Sequence, residues 1–271
     1  MIYCRFIHPQ TLAPRYGSIK GEEVTVLPLA TLFSEIATTA AAPENEKFLL
    51  ADVHLLAPVA PSKIICVGRN YQDHATELGN QMPAEPLLFF KPPSAIIATD
   101  DPIVLPPQSV QVEHEGELAV VIGRTTTRLG AAANPLDYVF GYTCLNDVTA
   151  RDLQRKDVQF TRAKSFDTFC PVGPVIATTL NPTNLEISTR VNGRTKQLAR
   201  TSAMAFSVAF LVRYISHIMT LVPGDLIATG TPSGVSRLVE GDTVEVHVEG
   251  VGVLRNPVRA YTPANEGSSS T

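Results

Sequence analysis

The sequence predicts a β-dominated α+β fold, compact and irregular, with few short helices. Short runs rich in β-branched and aromatic residues recur between Gly and Pro punctuation. The chain carries 21 prolines, which interrupt helices and suit turns and strand edges. Helical periodicity is confined to a few segments. With 271 residues, 44% of them apolar and 18% charged, the chain can bury a sizeable core as one large domain or as a main domain with a small appendage. Strands do not alternate regularly with helices, which argues against a doubly wound sheet.

Residues 1–58 read as a small N-terminal region. Apolar runs at Ile2 to Ile7 and Val24 to Leu29 precede an alanine- and threonine-rich stretch that ends near Pro43. The charge run Glu44 to Lys47 reads as a solvated loop or helix end. Leu56 to Pro61 is a connector, because its prolines favour extended backbone. Residues 59–262 form the main domain. Strands are expected at Lys63 to Val67, Leu87 to Phe90, Glu115 to Ile122, Tyr138 to Leu145 and Thr243 to Val248. Asn192-Gly193, inside Thr189 to Lys196, marks a hairpin, since both turn positions need positive φ. Helices are expected at Gln72 to Leu78, after Thr149, and from Ser202 to Leu221. The tail, residues 263–271, is small and polar and is expected to be disordered.

A net charge of -4, with no basic stripe interleaved with aromatics, argues against nucleic acid as a partner. Cys4, Cys66, Cys144 and Cys170 form no CxxC pair and suit reduced thiols better than disulfides or a zinc site. The N-terminus lacks a signal-peptide core. The stretch Phe206 to Val222 is broken by Arg213 and His217, too early to span a bilayer. No membrane association is expected, and the expected compartment is the cytoplasm.

The segment Glu113 to Gly123, EHEGELAVVIG, is the most informative. On a strand, Glu115 and Glu117 share a face with Ala119 and Val121, while Leu118, Val120 and Ile122 face the other way. Side-by-side carboxylates leading into an apolar strand repel each other unless a cation neutralises them. Carboxylate oxygens without nearby thiols suit magnesium, manganese or calcium more than zinc. A solvent-facing strand end with hydrated glutamates is the competing reading. Asp147, in GYTCLNDVTARD, either caps the following helix or completes a three-carboxylate site.

In GRNYQDHATEL, from Gly68 to Leu78, His74 and Glu77 lie three apart and share a helix face. A carboxylate that holds an imidazole in one tautomer is the usual arrangement for a general base. A surface pair of no consequence is the common alternative for His-x-x-Glu.

The segments KIICVGRNYQDHATELG, LLFFKPPSAI, EHEGELAVVIG, GYTCLNDVTARDLQ, AKSFDTFCPVGP, VNGRTKQ and PGDLIATGTPSGV, in this order, resemble the fumarylacetoacetate hydrolase superfamily from Lys63 to about Val258. The resemblance implies a mixed β-sheet roll or sandwich of that family's C-terminal-domain type. It implies Glu115, Glu117 and Asp147 as ligands of Mg2+ or Mn2+, and His74 and Glu77 as a catalytic pair on a short lid helix. Lys164 is implied beside the metal, Thr231 as a substrate contact, and Gln154 near the same pocket. The GRNY form, with Arg69 and Asn70 on the substrate side, resembles the acylpyruvase and oxaloacetate decarboxylase branch, where a guanidinium grips a small dicarboxylate.

The implied reaction is cleavage of a C–C bond in a small 2-oxo acid: acylpyruvate hydrolysis, oxaloacetate decarboxylation, or both. The ion acts there as a Lewis acid on the enolate, with Lys164 adding positive charge. Oxaloacetate keto–enol tautomerisation is the alternative within the family, and a 2-oxo acid binding protein without turnover is the alternative outside enzymes. No GxGxxG or Walker pattern supports a nucleotide. A homodimer is implied by the resemblance alone.

Overall fold

The structure is a computed structural model that describes residues 1–28, 32–33 and 46–263. The alanine- and threonine-rich stretch, Glu44 and Asn45 of the charge run, and residues 264–271 of the expected tail lie outside the described residues.

The chain opens with β1 (Ile2–Ile7), β2 (Pro14–Lys20), β3 (Glu23–Val26), β4 (Lys47–Leu49) and β5 (His54–Leu56). Next come β6 (Ile64–Gly68), helix α1 (Gln72–Glu77), β7 (Leu87–Lys91), β8 (Ile96–Ile97), β9 (Ile103–Leu105), β10 (Val112–Glu113) and β11 (Gly116–Ile122). After these follow β12 (Val139–Asn146), β13 (Thr149–Ala150), α2 (Arg151–Lys156), α3 (Thr161–Lys164), β14 (Cys170–Ala177), β15 (Glu186–Val191) and β16 (Arg194–Arg200). The last elements are α4 (Val208–Ile218), β17 (Leu226–Ala228), β18 (Thr243–Val248) and β19 (Gly252–Ala260).

A 12-stranded mixed sheet runs in the order β4-β3-β2-β1-β14-β12-β11-β17-β6-β7, with β5 and β8 off this path. A 5-stranded sheet, β16-β15-β18-β19-β9, packs against its middle, and β10-β13 form a small ladder beside it. The expected strand-dominated class is therefore the observed one. Strands from residues 1–58 extend the large sheet itself, with Ile2 opposite Ala177 and Tyr3 opposite Ile176.

The faces of β11 divide as its sequence dictates. Leu118, Val120 and Ile122 join the core between the two sheets, with Ile187, Val246 and Leu254. Ala119 and Val121 join a second core on the opposite face, with Ile64, Cys66 and Val172. Both faces are covered, so the strand is apolar throughout apart from Glu117 near its N-terminal end. The hairpin also forms as its sequence requires, with Asn192 at φ 51 and Gly193 at φ 74 between β15 and β16.

Two expectations need correction. The helix expected from Ser202 to Leu221 is only α4, Val208–Ile218. The Ser207 side chain caps it, accepting from Phe210 N–H at 3.3 Å, while Asn70 holds the preceding backbone extended: its carbonyl accepts from Ala205 N–H and its side chain from Phe206 N–H. The second correction is β14, a central strand absent from the expected set, which carries Pro171 and Pro174 although prolines are rare at interior positions. Its pairing with β12 is irregular between Tyr142 and Cys144, where Pro174 falls, while Pro171 lies opposite Ile97 of β8. Among the described residues no helix is long and apolar enough to cross a membrane.

Asp225 closes the parallel join of β17 and β6. Its buried carboxylate accepts from Ser62 Oγ at 2.6 Å, Val222 N–H at 2.8 Å and Lys63 N–H at 3.2 Å, and pairs with the Lys63 ammonium. Asp225→Ala strands these donors and is expected to cost about 3 kcal/mol in chemical denaturation. A loss below about 1 kcal/mol would contradict that role.

Candidate functional site

Glu115, Glu117 and Asp147 come together at the ends of β11 and β12, all buried, with one oxygen from each lying within 4.8 Å of the others. The β11–β12 ladder brings this about: Gly116 is opposite Asn146, so the residues flanking each meet across the strand pair. Asn146 Oδ1 accepts from Glu115 N–H at 2.9 Å, and the Glu115 carbonyl accepts from Asp147 N–H at 2.8 Å. Asp147 does not cap a helix. The residue preceding α2 is Ala150, and Asp147 faces the two glutamates instead.

Three buried cations surround the carboxylates. Lys164 donates to Glu115 Oε2 at 2.8 Å and Asp147 Oδ2 at 2.6 Å, and its ammonium lies 5.0 Å from the centre of the Phe89 ring. Lys91 donates to Asp147 Oδ1 at 2.7 Å and to the Val148 carbonyl at 3.0 Å. Arg151 pairs with Glu113 at 2.8 Å and with Glu115, and also donates to Gln154.

Glu117 is the exception. Its side chain accepts from Gly230 N–H at 2.7 Å, and among the described residues it forms no ion pair. Burial, followed by repulsion from Asp147 and Glu115, pushes its carboxyl well above the usual carboxylate range. Burial also disfavours the charged form of Glu115, but Lys164 and Arg151 outweigh it and hold that carboxyl low. Burial likewise opposes the charged form of Lys164, and Asp147 and Glu115 override it, raising the ammonium's pKa. Among the described residues four carboxyl groups therefore face three fixed cations, and the unmatched one, Glu117, lacks the counter-charge that a divalent ion would supply. The donor set is oxygen only, as a hard cation requires.

The histidine segment arrives from β6. Arg69 turns the chain at φ 57, and α1 follows. His74 is buried, and its Nδ1 lies 3.3 Å from Glu77 Oε2. Glu77 Oε1 also accepts from Gly234 N–H at 3.0 Å, which fastens α1 over the cavity. Arg69, His74, Glu77, Gln154, Lys164 and Thr231 line one cavity of about 440 Å³ together with the three carboxylates. Arg69 reaches it with no hydrogen bond or ion pair among the described residues.

Asn70 does not line this cavity. Its amide donates to Thr229 O at 2.7 Å and Phe206 O at 3.0 Å, so its capacity is used in joining the α1 loop to its neighbours. The Thr231 hydroxyl donates to Gly116 O at 2.9 Å.

Lys91 and Arg151 escaped the sequence reading. The available signal was a basic residue at the end of an apolar run in LLFFKPPS, and another directly after the strand-like GYTCLNDVTA. The cysteines are all buried, and burial pushes the Cys4, Cys144 and Cys170 thiols up to about 12.

His114, beside the cluster, is held neutral by burial, its pKa lowered to about 4. Since the unfolded chain takes up the proton first, this residue's contribution to stability is complete above pH 6.5 and lost as pH falls toward 4, about 3 kcal/mol in all. Urea unfolding should show His114→Gln with a flatter pH slope than wild type across that window. Parallel slopes would refute the assignment.

The fumarylacetoacetate hydrolase C-terminal family matches residues 63–259. A family described as Rv2993c-like, N-terminal, matches residues 1–58. Oxaloacetate tautomerase YisK of Bacillus subtilis is 42% identical over 83% of this chain and 80% of its own. The crystal structure of 2-hydroxyhepta-2,4-diene-1,7-dioate isomerase from Mycobacterium marinum is 43% identical, with a TM-score of 0.86 over 97% of this chain and 100% of its own. Maleylpyruvate hydrolase from Sphingobium sp. SYK-6, solved with manganese(II) and pyruvate, is 33% identical, with a TM-score of 0.77 over 97% and 100%.

Proposed function

The chain belongs to the fumarylacetoacetate hydrolase family, and on that premise we propose that it is a divalent-metal-dependent keto–enol tautomerase of oxaloacetate or a closely related 2-oxo dicarboxylic acid. The observation that carries this reading is a single cavity lined by three carboxylates, Lys164, the His74–Glu77 pair and Arg69, which has no ion-pair partner among the described residues. The naming of YisK, 42% identical, as an oxaloacetate tautomerase supports the reaction type. Arg69 by itself suits C–C cleavage as well, and it is the relatives named as a tautomerase and an isomerase that favour tautomerisation.

Glu115, Glu117 and Asp147 would hold Mg2+ or Mn2+, which when bound supplies Lewis acidity to a chelating 2-oxo acid. The chain's own groups do the rest. Lys164 places an ammonium where negative charge develops on the enolate oxygen. Glu77 holds the His74 ring through Nδ1, leaving Nε2 to take a proton from C3 and return it. Arg69 grips the distal carboxylate, and α1, latched through Glu77 to Gly234, keeps water away.

C–C cleavage is the second reading, favoured by the likeness to maleylpyruvate hydrolase. One experiment separates the two. Oxaloacetate is followed by proton NMR and by enol absorbance with Mg2+, against Mg2+-only and EDTA controls. Faster enol–keto exchange without pyruvate supports tautomerisation, whereas EDTA-sensitive pyruvate formation supports decarboxylation.

His74→Ala is expected to slow tautomerisation by about 10²–10⁴-fold while sparing decarboxylation, which needs no base. Wild-type exchange in that variant would remove His74 from the mechanism. The working unit is proposed to be a homodimer; light scattering that gives the mass of one 29.2 kDa chain would overturn this.

A further inference from the structure

Gln197, on β16, is fully buried, and every hydrogen-bonding position of its side-chain amide is filled. Its Oε1 accepts from Gly116 N–H at 3.0 Å and from His114 Nδ1–H at 3.1 Å. Its Nε2 donates to Thr231 Oγ1 at 2.7 Å and to the Pro232 carbonyl at 2.7 Å. Two backbone groups fix which end is which, since Gly116 N–H can only donate and Pro232 C=O can only accept. This in turn assigns the His114 proton to Nδ1 and leaves Nε2 to accept from Ser236 Oγ at 2.9 Å.

One amide thus joins the two segments on which the proposed chemistry depends. Gly116 sits between Glu115 and Glu117, so holding its N–H fixes the backbone from which both carboxylates project. Thr231 and Pro232 begin the loop that ends at Gly234, whose N–H is received by Glu77. That loop lies flat on the strand bearing Gln197. Gly234 has φ 99, and a Cβ there would stand 2.0 Å from the Lys196 carbonyl oxygen. The Thr231 hydroxyl completes a closed ring by donating to Gly116 O at 2.9 Å. A fully satisfied buried network of this kind specifies one geometry, because any displacement leaves a polar group unpaired.

We propose that Gln197 is a positioning residue that sets the Glu115–Glu117 carboxylates and the His74–Glu77 helix at a fixed separation across the cavity. It touches neither substrate nor ion and acts through Gly116 on one side and the Thr231–Gly234 loop on the other. The assignment rests on the functional reading above.

The test compares full-length wild type, Gln197→Met, Gln197→Glu and Ser236→Ala in three measurements: Mn2+ affinity by electron paramagnetic resonance, kcat and KM on oxaloacetate, and hydrogen exchange across residues 72–79. Gln197→Met loses all four bonds. It is expected to weaken Mn2+ by about 10–100-fold, lower kcat with little change in KM, and speed exchange in α1. Gln197→Glu keeps the shape and the accepting oxygen but, as a carboxylate, donates to neither Thr231 nor Pro232. Its Mn2+ binding should not weaken, while kcat falls and α1 still exchanges faster. Ser236→Ala leaves the four contacts in place and should match wild type in all three.

Wild-type affinity, turnover and exchange in Gln197→Met, with only a lower melting temperature, would reduce Gln197 to a structural residue. A Ser236→Ala defect equal to that of Gln197→Met would also overturn the assignment. A wild type that fails to bind Mn2+ would instead remove the metal reading itself, and the positioning role with it.

Discussion

Asp147→Ala is expected to abolish metal-dependent turnover and to cost about 3–5 kcal/mol of stability. Asp147 is only 1% exposed, and it anchors Lys91 through Oδ1 and Lys164 through Oδ2. Without it the Lys91 ammonium keeps only the Val148 carbonyl, and Lys164 keeps only Glu115. A buried ammonium deprived of part of its counter-charge sheds its proton more readily, so the pKa of Lys164, raised in the wild type by Asp147 and Glu115, falls in the variant. The stability deficit therefore shrinks as pH rises through the alkaline range and Lys164 becomes neutral in the variant. On the activity side, one of three candidate ligands is lost from a site that supplies several kcal/mol of charge stabilisation, so kcat/KM should fall by about 10³-fold or more. Denaturant titrations at several pH values and the oxaloacetate assay read both effects. A variant as stable as wild type, or one that still turns over with Mg2+, would rule out this account of the cluster.

Lys164→Met should split binding from catalysis. The ammonium stands against two of the three candidate ligands, and a positive charge there opposes a divalent ion. Removing it is expected to tighten Mn2+ by about tenfold or more, given the strength of charge interactions at short range inside a protein. The same change removes the positive group proposed to face the developing enolate, and loss of one such group costs about 10²–10³-fold in kcat. Tighter metal with slower turnover distinguishes this role from a scaffold role, in which both would worsen together. If Mn2+ binding weakens in Lys164→Met, the ammonium is acting as a support for the carboxylates and the catalytic assignment fails.

Much of this arrangement was legible in the chain, and the reasons are local. Alternation along EHEGELAVVIG separated Ala119 and Val121 from Leu118, Val120 and Ile122 because a strand has a period of two, and the structure buries the two sets in opposite cores. Asn192-Gly193 announced its turn because few other dipeptides tolerate two positive φ values. Asp147 remained ambiguous because an isolated aspartate after a strand has two common uses, and only the β11–β12 pairing separates them.

Lys91, Arg151 and Gln197 were hidden for a different reason. Each works through partners more than 25 residues away in sequence, such as Asp147, Glu113 and Thr231, and spacing carries no trace of such contacts. The overlong helix and the missed β14 came from reading segments without their neighbours. A side chain of the lid loop ends one, and an irregular pairing rescues the other.

The N-terminal strands carry a consequence for anyone who would shorten this protein. A chain beginning at Lys63 keeps every residue implicated in chemistry, yet it loses β1 from beside Ile176 and Ala177. It also loses Cys4, Phe6, Val24 and Val26 from the core between the sheets. That leaves part of an interior strand without its neighbour, next to a bared apolar surface. Exposed strand edges of this kind recruit other chains, so the trimmed enzyme should precipitate or exchange strands rather than fold as a minimal catalytic unit.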